Sequence, residues 1–178
     1  MHYASGNLYG DLRMEAEELR ALQAPLKQQY RSDPGKALVT LRASGSLGSP
    51  GVSCRVETGR ALVEAGLHPA TGGTGLQACS GDMLLEALAA CAGVTLRAVA
   101  TALEIPVRDG SIEVEGDLDF RGTLGVSKEV PVGFQAIRVR FRLESDATPE
   151  QLETLRKLTE RYCVVLQTLR SPPVVSLT

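Results

Sequence analysis

The run GDMLLEALAACAGVTLRAVA, residues 81–100, lies in the most apolar part of the chain and predicts one helix over residues 82–103. Glu86 and Arg97 interrupt the run, and charges are costly in the middle of a bilayer. The helix is therefore interpreted as part of a folded core rather than as a membrane span. Because a helix that is apolar nearly all round has to be covered on every side, the remaining elements are predicted to pack around it.

Cys91 lies in the middle of this helix. Its face contains residues at helical spacing, namely Leu84, Ala87, Leu88, Val94, Thr95 and Ala98. A thiol in such a position is either packing material or a nucleophile in a hydrophobic pocket. Cys163 is a second thiol on the apolar side of a second predicted helix, and two core-facing stripes can meet across a helix–helix contact. The residue pattern leaves both interpretations open.

The chain before the apolar helix is predicted to contain a charged helical arm, residues 1–35, followed by three short strands. The strands are predicted at residues 37–44, 52–57 and 60–65. A turn rich in glycine and serine, residues 45–51, favours a hairpin between the first two strands. A glycine-rich loop, residues 66–81, then leads into the apolar helix.

Downstream of Pro106 the hydrophobic period changes to two, which predicts half-buried strands. Two rows of charge alternate with the apolar residues: an acidic row of Glu113, Glu115, Asp117 and Asp119, and a basic row of Arg138, Arg140 and Arg142. If the strands are antiparallel neighbours, the rows form cross-strand ion pairs on one sheet face. This interpretation is favoured over a nucleic-acid surface, because the rows match in length and no aromatic residues interleave the arginines.

The last helix is predicted from the capping box Thr148-Pro149-Glu150-Gln151. Its apolar stripe contains Leu152, Leu155, Leu158, Tyr162 and Leu166, with Cys163 on the same side, and Ser171-Pro172-Pro173 ends it. Residues 174–177 are predicted to add a final strand. Strands and helices segregate along the chain rather than alternate, so the fold class is α+β with a largely antiparallel sheet.

Length and composition fit one domain, residues 36–178, behind the helical arm. The net charge of −2 gives no field that would attract nucleic acid or an anionic membrane. The N-terminal residues lack the pattern of a secretory signal, so a cytoplasmic location is expected. In that compartment the four cysteines are expected to be free, catalytic or metal-bound rather than structural.

No cofactor and no metal are expected. The glycine run at residues 72–75 lacks the spacing and the lysine of a phosphate-binding loop. His68 and the cysteines Cys79, Cys91 and Cys163 lack metal-ligand spacing. Cys54 is interpreted as a strand core residue, and a redox role for Cys79 is left open.

Two motifs resemble the OsmC/Ohr family. Residues 81–100 resemble its central-helix signature, in which Ala-Ala-Cys or Ser-Cys precedes a short apolar stretch. ERYCVVLQTLRSP, residues 160–172, resembles its second-cysteine segment, and the order of predicted elements agrees. The resemblance implies an OsmC-like fold, with antiparallel sheets wrapped around buried central helices in an intertwined homodimer.

The resemblance also implies a thiol-dependent peroxidase. Cys91 as thiolate would attack an organic hydroperoxide, become a sulfenic acid and condense with Cys163 to an intrachain disulfide. An external dithiol, such as a lipoyl group, would then reduce the disulfide by exchange. The apolar face around Cys91 suits an organic hydroperoxide better than hydrogen peroxide.

Active peroxidases of the family hold the thiolate with a glutamate and with an arginine from the N-terminal hairpin. Gly81 stands at the glutamate position here and Asp82 follows it, while Arg55 is the first candidate for the arginine and Arg60 the second. Such an arginine–carboxylate clamp lowers the pKa of a thiol. The departure at Gly81 keeps an alternative function open: a non-catalytic carrier that holds an apolar or thiol-bearing small molecule at the dimer interface.

Overall fold

The computed structural model describes residues 15–38, 44–47, 53–57 and 62–177, with the backbone alone at residues 34, 44–47, 53–57 and 62. The helices are α1 (Ala16–Ser32), α2 (Ser80–Ala102), α3 (Phe120–Thr123), α4 (Pro149–Tyr162) and α5 (Val164–Arg170). The strands are β1 (Ser44–Leu47), β2 (Ser53–Glu57), β3 (Leu62–Gly66), β4 (Ala78–Cys79), β5 (Asp109–Asp117) and β6 (Ala136–Glu144). The predicted mixture of helices and largely antiparallel strands is confirmed.

Helix α2 is the central element, and the apolar run predicted it to within two residues at either end. Its buried residues recur at every fourth position: Leu88, Ala92, Leu96 and Ala100. This stripe packs against α4, α5 and β5. By length and composition α2 could cross a bilayer, but core helices of folded domains share that property. The contacts of its buried stripe place α2 in such a core.

Strands β5 and β6 form an antiparallel pair along their whole length, from Asp109 opposite Glu144 to Asp117 opposite Ala136. The inward residues Ile112, Val114, Ile137 and Val139 pack on the lower half of the α2 stripe, around Leu88 and Ala92. Phe141 and Leu143 pack on the other half, around Leu96, Ala100 and Leu155. The alternation in sequence therefore predicted which face of this sheet is buried.

The outer face of the β5–β6 sheet has the predicted cross-strand ion pairs. Arg140 lies 3.0 Å from Glu115, Arg142 lies 2.9 Å from Glu113, and Arg138 donates to Asp117 at 2.7 Å. Asp119 is an exception to the predicted row, because the strand ends at Asp117. Asp119 instead caps α3 by accepting the backbone N–H of Arg121, so Phe120 begins a helix rather than extending the strand.

The first sheet has the order β1-β2-β3-β4, with antiparallel pairing except for the parallel β3–β4 contact. The predicted hairpin is confirmed, since Ser44 lies opposite Glu57 and Leu47 opposite Cys54. The predicted start of its first strand at Ala37 is wrong, and residues 39–43 of that predicted strand lie outside the described residues. Ala37 belongs to a short 3-10 turn, and β1 uses residues that the glycine and serine content had assigned to the turn.

The C-terminal helix begins as predicted, with both hydrogen bonds of the Thr148 and Gln151 capping box present. Its predicted continuation is wrong: the backbone leaves helical geometry at Cys163, where ψ is 105°, and a separate helix α5 follows. Tyr162 was predicted on the apolar stripe but is 57 % exposed, because Thr159 and Cys163 take the buried positions one and two turns after Leu155. Residues 174–177 form no strand and are exposed.

Helix α1 covers part of the predicted arm and continues through Pro25. Ala16 is buried, and Arg20 forms an ion pair with Glu104 beyond the C-terminal end of α2 at 2.8 Å. The domain division at residues 35 and 36 stays a prediction.

The core contact between α4 and α2 gives a stability prediction. Leu155→Ala should lower the free energy of unfolding by about 2–5 kcal/mol, because the Leu155 side chain is 1 % exposed and its loss leaves a cavity. Leu76→Ala makes the same chemical change at a side chain that is 91 % exposed and should cost less than about 0.5 kcal/mol. Urea unfolding of both variants measures the difference, and equal losses would contradict the packing described here.

Candidate active site

The structure brings the two predicted cysteines together. Cys91 comes from the middle of α2, and Cys163 comes from the break between α4 and α5. The two thiols lie next to each other, and both are free rather than joined in a disulfide. Cys163 is fully buried, while Cys91 is half-buried and packs against the cluster of Leu88, Ala92 and Cys163.

The break after α4 supplies hydrogen-bond donors to both sulfurs. Because the chain turns at Cys163, the first backbone N–H groups of α5 come close to the two thiols. The backbone N–H groups of Val164 and Val165 lower the pKa of Cys91, while those of Val165 and Leu166 lower the pKa of Cys163. The Thr95 hydroxyl, one helical turn after Cys91, is a further partner of that thiol. An uninterrupted helix would have used these N–H groups in its own hydrogen bonds.

The electrostatic environment separates the two thiols. Burial raises the pKa of Cys91, but hydrogen bonds from Val165, Cys163, Val164 and Thr95 together outweigh burial and bring that pKa below its ordinary value. Burial also raises the pKa of Cys163, and the neighbouring Cys91 raises it further. Cys91 is therefore the thiol that ionises first, and Cys163 keeps its proton and donates it in a hydrogen bond. A thiolate beside a neutral thiol has the arrangement needed for a nucleophile with a resolving partner.

The other predicted site residues lie elsewhere or outside the described part of the chain. Asp82 is exposed in the first turn of α2, nine residues before Cys91, which is about 14 Å along a helix. Arg55 lies on β2 opposite Glu64, with its side chain outside the described residues, and Arg60 lies wholly outside them. A clamp formed by Asp82 and an arginine stays a prediction.

Asp82 lines a cavity of about 380 Å³ near the N-terminal end of α2. Cys79 also lines it, together with His68, Leu85, Leu118, Phe120 and Phe134. The His68 ring stacks on Phe120 with ring centroids 4.8 Å apart. In the described part of the chain, no group of three or more histidine, cysteine or acidic side chains could hold a metal ion. The side chain of Cys54 lies outside the described residues, so its interpretation as a core residue stays a prediction.

Sequence reasoning missed the backbone donors of α5. The helical spacing placed Thr95 on the face of Cys91 but gave it no role. The capping box and apolar stripe of α4 predicted one continuous helix, and no proline or glycine near Cys163 marks a break. The contact between Gln167 and the carbonyl of Glu160, at 2.7 Å, spans that break and is visible only in the structure.

Comparison with known protein families gives a match over more than half of the chain. The OsmC-like protein family model matches residues 73–178, which include α2, both cysteines, and all elements downstream. The chain belongs to the OsmC-like family. No curated protein sequence is significantly similar to this OsmC-like chain.

Solved structures show the same fold at low sequence identity. The OsmC-like protein of Mycoplasma pneumoniae has a TM-score of 0.63 at 16 % identity, over 75 % of this chain and 89 % of that one. An organic hydroperoxide resistance protein of Legionella pneumophila has a TM-score of 0.59 at 19 % identity, over 75 % and 91 %. The organic hydroperoxide resistance protein OhrB of Bacillus subtilis has 0.50 at 21 % identity, over 75 % and 93 %.

The thiol contact gives a pH prediction. Because hydrogen bonds lower the pKa of Cys91 and burial raises that of Cys163, alkylation of Cys91 by iodoacetamide should begin at lower pH than alkylation of Cys163. Cys163→Ala removes one donor and should move the Cys91 profile to higher pH. Cys79→Ala, a change outside the contact, should leave it in place. Site-resolved mass spectrometry reads both profiles, and an unshifted profile in Cys163→Ala would show that the thiols are not coupled.

Proposed function

We propose that this OsmC-like protein is a thiol-dependent peroxidase that reduces organic hydroperoxides through Cys91 and Cys163. The observation that carries the proposal is the contact between two free thiols whose pKa values are shifted in opposite directions. The organic hydroperoxide resistance proteins of Legionella pneumophila and Bacillus subtilis, which share the fold, support the substrate class.

The first step uses Cys91 as the nucleophile. Its thiolate attacks one peroxide oxygen, the O–O bond breaks, and the alkoxide leaves as an alcohol after protonation, so Cys91 becomes a sulfenic acid. The sulfur of Cys163 then attacks the sulfur of Cys91, and the S–O bond breaks with loss of water. An external dithiol of lipoyl type would restore both thiols by exchange. A reducing, cytoplasmic compartment is part of this proposal.

The approach to Cys91 is apolar, which favours an organic substrate over hydrogen peroxide. Val94, one turn after Cys91, is 73 % exposed, and Val164, whose N–H donates to the Cys91 thiol, is also exposed. Contact with such side chains adds binding free energy for a hydrocarbon group at roughly 25 cal/mol per Å² of buried apolar area. Hydrogen peroxide has no hydrocarbon group and therefore cannot gain this binding free energy.

The predicted clamp is part of the same proposal. Asp82 is too far along α2 to touch Cys91 of its own chain directly, so it would act through an arginine, with Arg55 as first candidate, or on a second subunit. The backbone donors of α5 already lower the pKa of Cys91, so the clamp would add to that effect rather than cause it.

The peroxidase proposal predicts oxidation with a defined product. The reduced protein should lose its Cys91 thiol about tenfold faster with cumene hydroperoxide than with hydrogen peroxide, the factor that modest apolar contact provides. Peptide mapping should find an intrachain Cys91–Cys163 disulfide. Cys163→Ser should instead accumulate a sulfenic acid at Cys91, whereas Cys79→Ser should behave as the wild type.

Two results would contradict the proposal. A bridge from Cys91 to Cys54 or Cys79 would remove the resolving role from Cys163. A Cys91 that stays reduced with either peroxide would favour the alternative, a non-catalytic binding protein. The observation behind that alternative is the cavity of about 380 Å³ with its aromatic lining and the half-buried Cys79, a size suited to a small apolar molecule.

A homodimer is proposed for a separate reason. The face of α2 opposite its buried stripe includes Ala87, Ala90 and Val94, and all three are exposed in a single chain. A helix with this composition is stable in water only when that face is covered, and a second copy of α2 offers a surface of matching chemistry. The active sites would then lie near the interface, because Cys91 lies between the buried stripe and the exposed face.

Substitution of Val94 tests the dimer. Val94→Asp places a charge on the exposed apolar face and should convert a dimer into monomers, because an unpaired charge is costly to bury. Val94→Ala keeps the face apolar and should remain dimeric. Sedimentation equilibrium at micromolar concentration distinguishes the two states. A stable, folded wild-type monomer would refute the dimer, as would a Val94→Asp protein that still associates.

A further inference from the structure

Thr159 is an unexplained polar group in the core. Its side chain is 1 % exposed, and its hydroxyl has no hydrogen-bond partner among the described residues. A hydroxyl buried in this way costs roughly 1–3 kcal/mol, which a valine of the same shape would avoid. Because one chain already buries Thr159 completely, a second subunit cannot supply the partner. The cost of this buried hydroxyl is therefore explained if it has a hydrogen-bond partner in another state of the protein.

Thr159 lies one helical turn before Cys163 on the buried stripe of α4. The backbone N–H of Cys163 donates to the carbonyl of Thr159 at 2.9 Å, so helical geometry continues between the two residues. Side chains separated by four residues on a helix have Cβ atoms about 5–6 Å apart. A threonine in a helix also has two accessible χ1 rotamers. Rotation about one bond can therefore bring the Thr159 hydroxyl to the sulfur of Cys163.

The core packing fixes where this hydroxyl lies relative to the active site. Leu155, one turn earlier on α4, packs with Leu96 and Ala100 of α2. Cys163, one turn later, packs with Leu88 and Ala92. Thr159 lies between Leu155 and Cys163 on α4 and consequently faces the turn of α2 from Ala92 to Leu96, which directly follows Cys91.

Disulfide formation requires a hydrogen-bond donor that stabilises the Cys163 anion. In the reduced protein Cys163 keeps its proton and, as a neutral thiol, stabilises the Cys91 anion beside it. Once Cys91 is a sulfenic acid, Cys163 has to lose that proton to become a nucleophile, and it does so at a fully buried position where water cannot stabilise the charge. The backbone N–H groups of Val165 and Leu166 are donors there, but they are the same groups that serve the reduced state.

We propose, on the basis of the peroxidase function above, that Thr159 is a further catalytic residue whose hydroxyl donates a hydrogen bond to the sulfur of Cys163 during disulfide formation. Cys163 loses its thiol proton, its sulfur attacks the sulfur of Cys91, and the S–S bond forms as the S–O bond breaks. The hydroxide that leaves Cys91 takes up the proton as water. The hydroxyl of Thr159 has no partner among the described residues of the reduced protein because its partner is the Cys163 anion.

The experiment compares Thr159→Val, which removes the hydroxyl at constant shape, with Thr159→Ser, which keeps it. After one equivalent of cumene hydroperoxide, Thr159→Val should form the Cys91–Cys163 disulfide about tenfold more slowly, as expected for loss of a hydrogen bond to a charged group. Sulfenic acid formation at Cys91 should be unchanged. Thr159→Ser should form the disulfide within about threefold of the wild-type rate.

A second measurement does not depend on peroxide chemistry. In the Cys91→Ser protein, the Cβ carbon resonance of Cys163 reports its ionisation, and Thr159→Val should raise the pH at which Cys163 ionises while Thr159→Ser should not. An unchanged disulfide rate and an unchanged titration in Thr159→Val would overturn the role and leave the hydroxyl as packing alone. If the wild type formed no sulfenic acid, the peroxidase function would fail, and the titration would still decide whether Thr159 contacts Cys163.

Discussion

The contact between α2 and α4 is the interaction on which the rest of the structure depends. The buried stripe of α2 contains two alanines, Ala92 and Ala100, whose small side chains allow a neighbouring helix to approach closely. Leu155 packs at one end of the stripe and Cys163 at the other, so α4 runs antiparallel to α2. That direction brings the end of α4, and with it the second thiol, beside the middle of α2. The β5–β6 sheet covers the same stripe and excludes water from it.

The helix break at Cys163 converts this packing contact into a site with directed donors. A thiol buried only among apolar side chains would ionise less readily than one in water. Here the N–H groups of Val164 and Val165 offset that effect at Cys91, while Cys163 remains protonated. The two thiols share one apolar environment, and the difference between them comes from hydrogen bonds. The lowered pKa of Cys91 is therefore a consequence of backbone geometry more than of a charged neighbour within the described residues.

The β5–β6 sheet and helix α2 present different outer surfaces to solvent: on the sheet the charges are paired, and on the helix apolar side chains are exposed. The charges on the β5–β6 sheet are paired within the chain, as between Arg140 and Glu115. Such exposed pairs add little stability. They do favour the observed register of the two strands, because each basic side chain then lies beside acidic ones rather than beside like charges. Helix α2, in contrast, exposes Val94 and Leu84 to solvent. Its pattern in sequence is that of a helix covered on all sides, and one chain leaves the face with Val94 exposed.

The sequence by itself determined the elements whose signals are local. The apolar run predicted α2, the alternation with charge predicted β5, β6 and their buried face, and the Thr148 capping box predicted the start of α4. These signals depend on residues a few positions apart, which is why a single chain without structure reveals them. Only the tertiary structure decided the break at Cys163, the donors from Val164 and Val165, and the burial of Thr159. Each depends on which groups packing brings together across helices that are distant in sequence, and no local pattern contains that information.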